Sequence, residues 1–302
     1  MMRPLLDTLW VAVYELGEAV RTRLFQLVIL AYLGGIGFSV WLFTEILSEA
    51  EARIAETLMV PTTSKPGALL PQLLQNGDIR DLLAPLVGGD KAALALLTQP
   101  PLGLWVGVFS MGLLPMVLVF TASGTVSAEI RSRSIRFLLV RTGRLEIAVG
   151  KLLGQLLLGL VATTLGVGLA WAMGMYMMTG NDPAALFTTL ATRCAWSCVF
   201  ATPFLGLAMG ASLLLGNPNG SRVFAALTFC GMPVAGAILK HYSGPDAIGR
   251  VCDLALMAIP MRYWTEFWST DLTVQLTATG RSLILAMLFF ALGFARFQRR
   301  DL

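Results

Sequence analysis

Residues 129–151 of the chain read EIRSRSIRFLLVRTGRLEIAVGK, a segment dense in arginine between two long apolar runs. Six of the 22 basic residues of the chain fall in it: Arg131, Arg133, Arg136, Arg141, Arg144 and Lys151. Lysine and arginine near the ends of membrane spans are normally retained on the cytoplasmic side. Ile135, Leu138 and Leu139 recur at helical spacing, and a break follows at Thr142-Gly143. The segment therefore predicts a cytoplasmic loop whose residues 129–145 hold a short amphipathic helix.

Long apolar runs also recur along the rest of the chain. Of its 302 residues, 56% are hydrophobic and 13% are charged, whereas soluble domains are about 25% charged. An apolar run of about 20 residues is long enough to cross a bilayer as a helix. The predicted spans are residues 24–47, 102–126, 147–178, 191–215, 222–240 and 279–295. The pattern predicts an all-α membrane protein in which residues 1–302 form a single transmembrane domain with six helices.

Three further segments are too polar or too interrupted to be spans. Residues 2–23 carry an apolar stripe from Leu5 to Val20, so we expect an amphipathic helix that lies in the membrane interface. Residues 48–101 are divided by several prolines and glycines and predict an external cap of short helices. Residues 241–275 are rich in tyrosine and tryptophan and predict an external segment along the membrane interface.

The basic residues are divided unevenly between the two sides that this layout creates. Thirteen lie on the side of the arginine-rich segment and close to span ends, and nine lie on the other side. Charges near span ends decide the orientation of a membrane protein, so we predict that both termini are cytoplasmic. Because the basic residues lie at span ends rather than on one exposed face, the net charge of +4 does not indicate a nucleic-acid partner.

Several residues of the segment match a pattern known from one family of membrane proteins. They are Glu129, Ser134-Ile135, Leu138-Leu139, Arg144, and Glu146 with Gly150-Lys151, and together they resemble the cytoplasmic loop of ABC-2 type transporter permeases. The Ser134-Ile135 pair stands where Gly-Thr is commoner in that family, and Arg141-Thr142-Gly143 replaces a Pro-Ser step. The resemblance extends to the span layout and to the Phe-x-Arg-Arg-Asp-Leu end at residues 297–302.

The resemblance implies the membrane-spanning permease subunit of an ATP-driven ABC transporter, an exporter, in the inner membrane of a bacterium. The permease would form a dimer with a second permease chain and would bind two copies of an ABC ATP-binding subunit. ATP and Mg²⁺ would bind to that partner, and this chain would hold no cofactor, metal or catalytic residue. Residues 129–145 would be the coupling helix that docks into the partner. The residues implied in this docking are Glu129, Arg131, Arg133, Ile135, Arg136, Leu138, Leu139, Arg144, Glu146 and Lys151.

The sequence itself carries no motif for nucleotide binding or catalysis. Gly150-Lys151 is followed by Leu152, and position 145 is leucine rather than glycine, so the phosphate-binding loop GxxxxGK[ST] is absent. His241 is the only histidine, and the predicted span interiors hold no paired carboxylates. An ion-coupled secondary transporter, which usually keeps acidic residues near the membrane midplane, and a membrane-embedded enzyme remain the alternatives.

Overall fold

The structure is a computed structural model, and it describes residues 2–59, 65–68 and 98–300. Every regular element within these ranges is helical. The elements are α1 (Met2–Arg21), α2 (Arg23–Leu58), α3 (Pro101–Ala122), α4 (Thr125–Ser132), α5 (Ile135–Leu139), α6 (Arg144–Met177), α7 (Pro183–Leu215), α8 (Pro218–His241), α9 (Ala247–Met257), a 3₁₀ helix (Pro260–Trp268) and α10 (Leu272–Gln298). Most of the predicted external cap, residues 60–64 and 69–97, lies outside the described residues.

Six segments of the described chain are helical, long and apolar enough to cross a membrane. They are Arg23–Arg53, Pro101–Ser132, Arg144–Met177, Pro183–Leu215, Pro218–His241 and Leu272–Gln298. The predicted all-α class with six spans is confirmed. The amphipathic N-terminal helix is also present as α1, and its apolar side chains Leu5, Leu9, Trp10 and Val13 are exposed, as a helix in a membrane interface requires.

Several helices extend beyond the predicted spans, and α2, α7 and α10 do so by the most residues. α2 runs on to Leu58 through a segment of strong helix formers, where the Glu49 and Arg53 side chains pair at 2.9 Å. α7 and α10 begin earlier than predicted, each behind an aspartate cap. The Asp182 carboxylate accepts the N–H two residues on at 3.1 Å, and the Asp271 carboxylate does the same at 2.8 Å. Hydropathy does not detect such ends.

α7 is the central helix of the bundle and packs against α3, α6, α8 and α10. Within its most apolar window 72% of the residues are buried, compared with 11% for α8 and 22% for α10. The approach of α7 to α10 depends on glycine: a Cβ at Gly206 or Gly210 would collide with the α10 backbone. α8 and α10 thus present broad apolar faces outward, which a bilayer or a second chain can cover.

The predicted interface segment, residues 241–275, folds partly into the bundle. α9 keeps much of its surface exposed, but the 3₁₀ helix inserts Tyr263, Phe267 and Trp268 until they are 4% exposed or less. Phe200 of α7 meets Phe267 edge to face, with ring centroids 5.9 Å apart, an arrangement that aromatic rings favour. These three aromatic side chains therefore close one end of the bundle.

The bundle has two distinct ends. The basic end holds α4, α5 and the start of α6, together with the end of α10, because the Arg144 guanidinium donates to the Phe297 carbonyl at 3.0 Å. The opposite end holds residues 65–68 and the α6–α7 turn, where the Thr179 N–H donates to the Pro66 carbonyl at 2.9 Å. Because α1 packs along the first half of α6, both terminal helices reach the basic end.

Candidate functional site

The basic segment forms two short helices, α4 and α5, where the sequence predicts a single helix within residues 129–145. Arg133 lies between them with a φ of 60°, in the left-handed region that commonly ends a helix. Its N–H donates to the Ile130 carbonyl at 3.2 Å. The hydroxyls of Ser132 and Ser134 bond to each other at 2.9 Å, and such local polar bonds compete with helical ones. The prediction of one continuous helix is corrected to two helices with a turn at Arg133.

The apolar stripe of the segment faces the bundle rather than open space. Ile135 is 1% exposed and belongs to the core, and Leu139 packs against it; Leu138 is half-buried. The exposed apolar side chains are Phe137, at 80%, and Val140, at 84%. The expectation that Ile135 reaches a partner is therefore corrected. The stripe at Ile135, Leu138 and Leu139 holds α5 to its own chain, and the outward pair lies on the other side of the helix.

The charged residues predicted for docking divide into two groups. Three of them are exposed: Arg131, Arg133 and Arg136. Arg144 instead fastens the start of α6 to the end of α10, since its guanidinium bonds the carbonyls of Phe297 and Gln298 and lies 5.8 Å from the Phe297 ring. Glu146 lies in the first turn of α6, where a carboxylate favours the helix dipole.

A buried ion cluster lies beneath the basic segment, centred on Lys151 of α6. The Lys151 ammonium lies 2.6 Å from the Glu15 carboxylate of α1 and 2.8 Å from the Glu129 carboxylate of α4. Gln155, one turn further along α6, donates to the other Glu15 oxygen at 3.2 Å. Lys151 and Gln155 are 3% and 2% exposed. One ammonium thus joins three helices, and removing one partner from such a cluster would leave an uncompensated buried charge.

Two glycines of α6 bring α1 close enough for this pairing. A Cβ at Gly150 would stand 2.7 Å from Val11 Cβ, and a Cβ at Gly154 would stand 2.9 Å from Glu15 Cβ. Any larger residue at either position would push α1 away. Gly150 and Gly154 therefore let α1 approach α6 closely, which places Glu15 beside Lys151 while the apolar face of α1 stays outward.

Three carboxylates meet in this region. Oxygens of Glu15, Glu18 and Glu129 lie within 4.8 Å of one another, a grouping that also occurs in divalent-cation sites. Here the Lys151 ammonium already engages one oxygen of Glu15 and one of Glu129. We interpret the cluster as an attachment between helices. Glu18 is exposed, at the rim of a cavity of about 260 Å³ that these side chains line.

Sequence reasoning missed four side chains of this site. Glu15 and Gln155 complete the ion cluster, and Phe137 and Val140 form the exposed pair. A lysine at the start of a span needs an acidic partner, and that signal points to a carboxylate without saying which one. Glu15 lies 136 positions from Lys151 in the chain, so only the packing of α1 on α6 identifies it.

These features together define the class of the protein. Six helical spans, an amphipathic helix packed beside them and an exposed basic segment between the second and third spans describe a multi-pass, all-helical membrane protein.

Comparison with known proteins identifies the family. The sequence profile of the family described as ABC-2 family transporter protein matches residues 9–302, and the chain belongs to this family. No curated protein matches the chain. The chain is therefore a multi-pass membrane permease of an ABC transporter, a transport subunit that associates with an ABC ATP-binding subunit. The resemblance of the chain to this family is confirmed, and the family decides against the ion-coupled carrier and the membrane-embedded enzyme.

Proposed function

We propose that the permease is the membrane half of an ATP-driven exporter and works as a dimer with a second permease chain and two ATP-binding subunits. The partner binds ATP and Mg²⁺, and its closure moves the spans by pressing on the basic segment. The observation that carries this proposal is the exposed apolar pair Phe137 and Val140, called here the docking pair, among exposed arginines. The proposed direction of transport, export rather than import, is based on the family resemblance.

The docking pair has the composition of an interface anchor. Large apolar side chains that are 80% and 84% exposed gain about 1.5–3 kcal/mol each when a partner buries them. Anchors of this kind carry most of the energy of an interface. Arg133, Arg136 and Arg141 surround the pair in the chain and are exposed. Rim charges like these orient a partner and speed its association.

Force on the docking pair can reach the spans through contacts within the permease. Ile135, on the same short helix, is buried in the core. α4 is tied through Glu129 to Lys151 in α6, and Lys151 is tied through Glu15 to α1. A displacement of α4 and α5 would therefore move α6 and α1 with them. This connection supports a mechanical role for the basic segment.

We also propose that the basic end faces the cytoplasm of a bacterial cell, so that both termini are cytoplasmic. Ser132→Cys, at an exposed position of this end, should then resist an impermeant thiol reagent in intact cells and react after permeabilisation. Thr270→Cys, exposed at the opposite end, is the matched control and should react in intact cells. Rapid labelling of Ser132→Cys from outside would reverse the orientation.

The function as a whole is tested by purifying the tagged permease together with its ATP-binding subunit and reconstituting the complex in liposomes. We expect a complex of two permease chains and two ATP-binding subunits, with ATP hydrolysis that depends on the permease. A permease that migrates alone, with no ATP-binding subunit and no associated ATP hydrolysis, would contradict the proposal.

A further inference from the structure

A cavity of about 600 Å³ opens at the opposite end of the bundle, between α8, α9 and the 3₁₀ helix. One of its walls is a single face of α8, because Pro233, Gly236, Ala237 and Lys240 follow one another at helical spacing. Small residues at Gly236 and Ala237 leave this space open. The volume falls in the range of small-molecule sites, about 300–1,000 Å³. The cavity is therefore large enough to hold a ligand.

The cavity is charged at its mouth and apolar at depth. Lys240, in the last turn of α8, and Arg262 are exposed, and Asp253, which lines the same cavity, is half-buried. Met232 and Ile259 are buried at 9% and 8% exposure and line the apolar part. Met232 precedes Lys240 by eight residues, which is about 12 Å along the helix axis. A ligand that fills the cavity would meet charged groups at one part and apolar side chains at another.

The charged groups at the mouth are not used within the described part of the chain. No ion pair joins Lys240, Asp253 or Arg262 to another described side chain. The Arg262 guanidinium makes only a long contact, 3.5 Å, with the backbone carbonyl of Asp253. Two cations and one carboxylate are thus free to meet a ligand that carries both signs of charge.

We propose that this cavity binds a zwitterionic phospholipid of the phosphatidylethanolamine type. The phosphate lies between Lys240 and Arg262, the ammonium group of the head meets Asp253, and an acyl chain runs along Met232 and Ile259. Charge-assisted hydrogen bonds to phosphate are about twice as strong as neutral ones, so two cations select the head. The carboxylate distinguishes an ammonium head from an uncharged one. This site goes beyond the proposed transport function and does not depend on it.

The test measures lipid binding to the full-length chain, purified and delipidated in detergent, by native mass spectrometry. The probes are dioleoyl phosphatidylethanolamine, dioleoyl phosphatidylglycerol and dioleoylglycerol, which share the same acyl chains. We expect phosphatidylethanolamine to bind most tightly and dioleoylglycerol most weakly. Lys240→Gln combined with Arg262→Gln should weaken binding of both phospholipids about a hundredfold or more, since two charge-assisted hydrogen bonds to the phosphate are lost together.

Two further variants test the contacts of the lipid head group and of the acyl chain separately. Asp253→Asn should weaken phosphatidylethanolamine severalfold and leave phosphatidylglycerol unchanged. Ala237→Leu, which fills the cavity from an exposed position, should weaken both phospholipids without unfolding the chain. Arg250→Gln, exposed on α9 outside the cavity, is the matched control and should bind like the wild type.

Either of two results would overturn the proposal. One is equal binding of the three lipids to the wild type, which would show that the chain retains bilayer lipid without a specific site. The other is an equal loss of binding of both phospholipids in Asp253→Asn, which would show that Asp253 does not contact the ammonium group. Monodisperse elution of each variant in size-exclusion chromatography confirms that a loss of binding is not a loss of fold.

Discussion

Phe137→Ala combined with Val140→Ala is expected to lower the affinity of the permease for its ATP-binding subunit on the order of a hundredfold. The reason is that the docking pair, exposed in the isolated chain, becomes the buried apolar anchor of the complex. Losing both side chains should cost about 3 kcal/mol of binding free energy. The dissociation constant of the detergent-solubilised complex, together with ATP hydrolysis stimulated by the permease, measures this effect.

A matched control for the docking pair is present at the other end of the molecule. Ile248 and Val251 are also spaced three residues apart on a short helix, α9, and are 75% and 64% exposed. Ile248→Ala with Val251→Ala removes the same kind of surface and should leave the affinity unchanged. If the two double variants weaken the complex equally, or if neither does, the docking pair is not the anchor.

Lys151→Met is expected to destabilise the folded permease by about 3–5 kcal/mol, because it leaves the buried carboxylate of Glu15 and the half-buried carboxylate of Glu129 without their shared cation. The first consequence should be the release of α1 from α6. Thermal unfolding in detergent reports the loss of stability, and the rate at which protease cleaves between α1 and α2 reports the release.

The control for this variant is an exposed ion pair. Arg281 lies 2.9 Å from Glu266, with 52% of its side chain exposed, and pairs of this kind contribute about 0–1 kcal/mol. Arg281→Met should therefore have a small effect. Replacing the three charged residues of the cluster, with Glu15→Leu, Glu129→Leu and Lys151→Met together, should recover part of the stability, since apolar residues can replace a complete buried ion group but the Gln155 amide loses its acceptor. Equal melting of Lys151→Met and Arg281→Met would contradict the role given to the cluster.

The hydropathy and charge pattern of the sequence predicts the six spans and the basic loop of this protein, because a bilayer strongly restricts where apolar and charged residues can lie. Runs of about 20 apolar residues give six spans, and the position of Arg131 and its basic neighbours identifies the exposed segment between the second and third spans. Span ends are less predictable. The start of α10 behind Asp271 alternates apolar and polar residues, and the extension of α2 to Leu58 is largely polar, so neither end gives a clear hydropathy signal.

The orientation of the docking segment could not be predicted from the sequence. Periodicity finds the stripe at Ile135, Leu138 and Leu139, but it does not say whether a stripe faces a partner or the chain's own core. The left-handed turn at Arg133 decides this by rotating α5 relative to α4. The pairing of Lys151 with Glu15 could not be predicted from the sequence either, because it depends on the close packing of α1 on α6 that Gly150 and Gly154 permit.

The central claim, that α5 presents Phe137 to the ATP-binding subunit, is tested most directly by photo-cross-linking from that position. Phe137→p-benzoylphenylalanine in the intact complex is predicted to form a covalent adduct with the ATP-binding subunit. The same replacement at Ile135, which is buried in the core, is predicted to cross-link only within the permease. An adduct with the ATP-binding subunit from position 135 and none from position 137 would contradict the account.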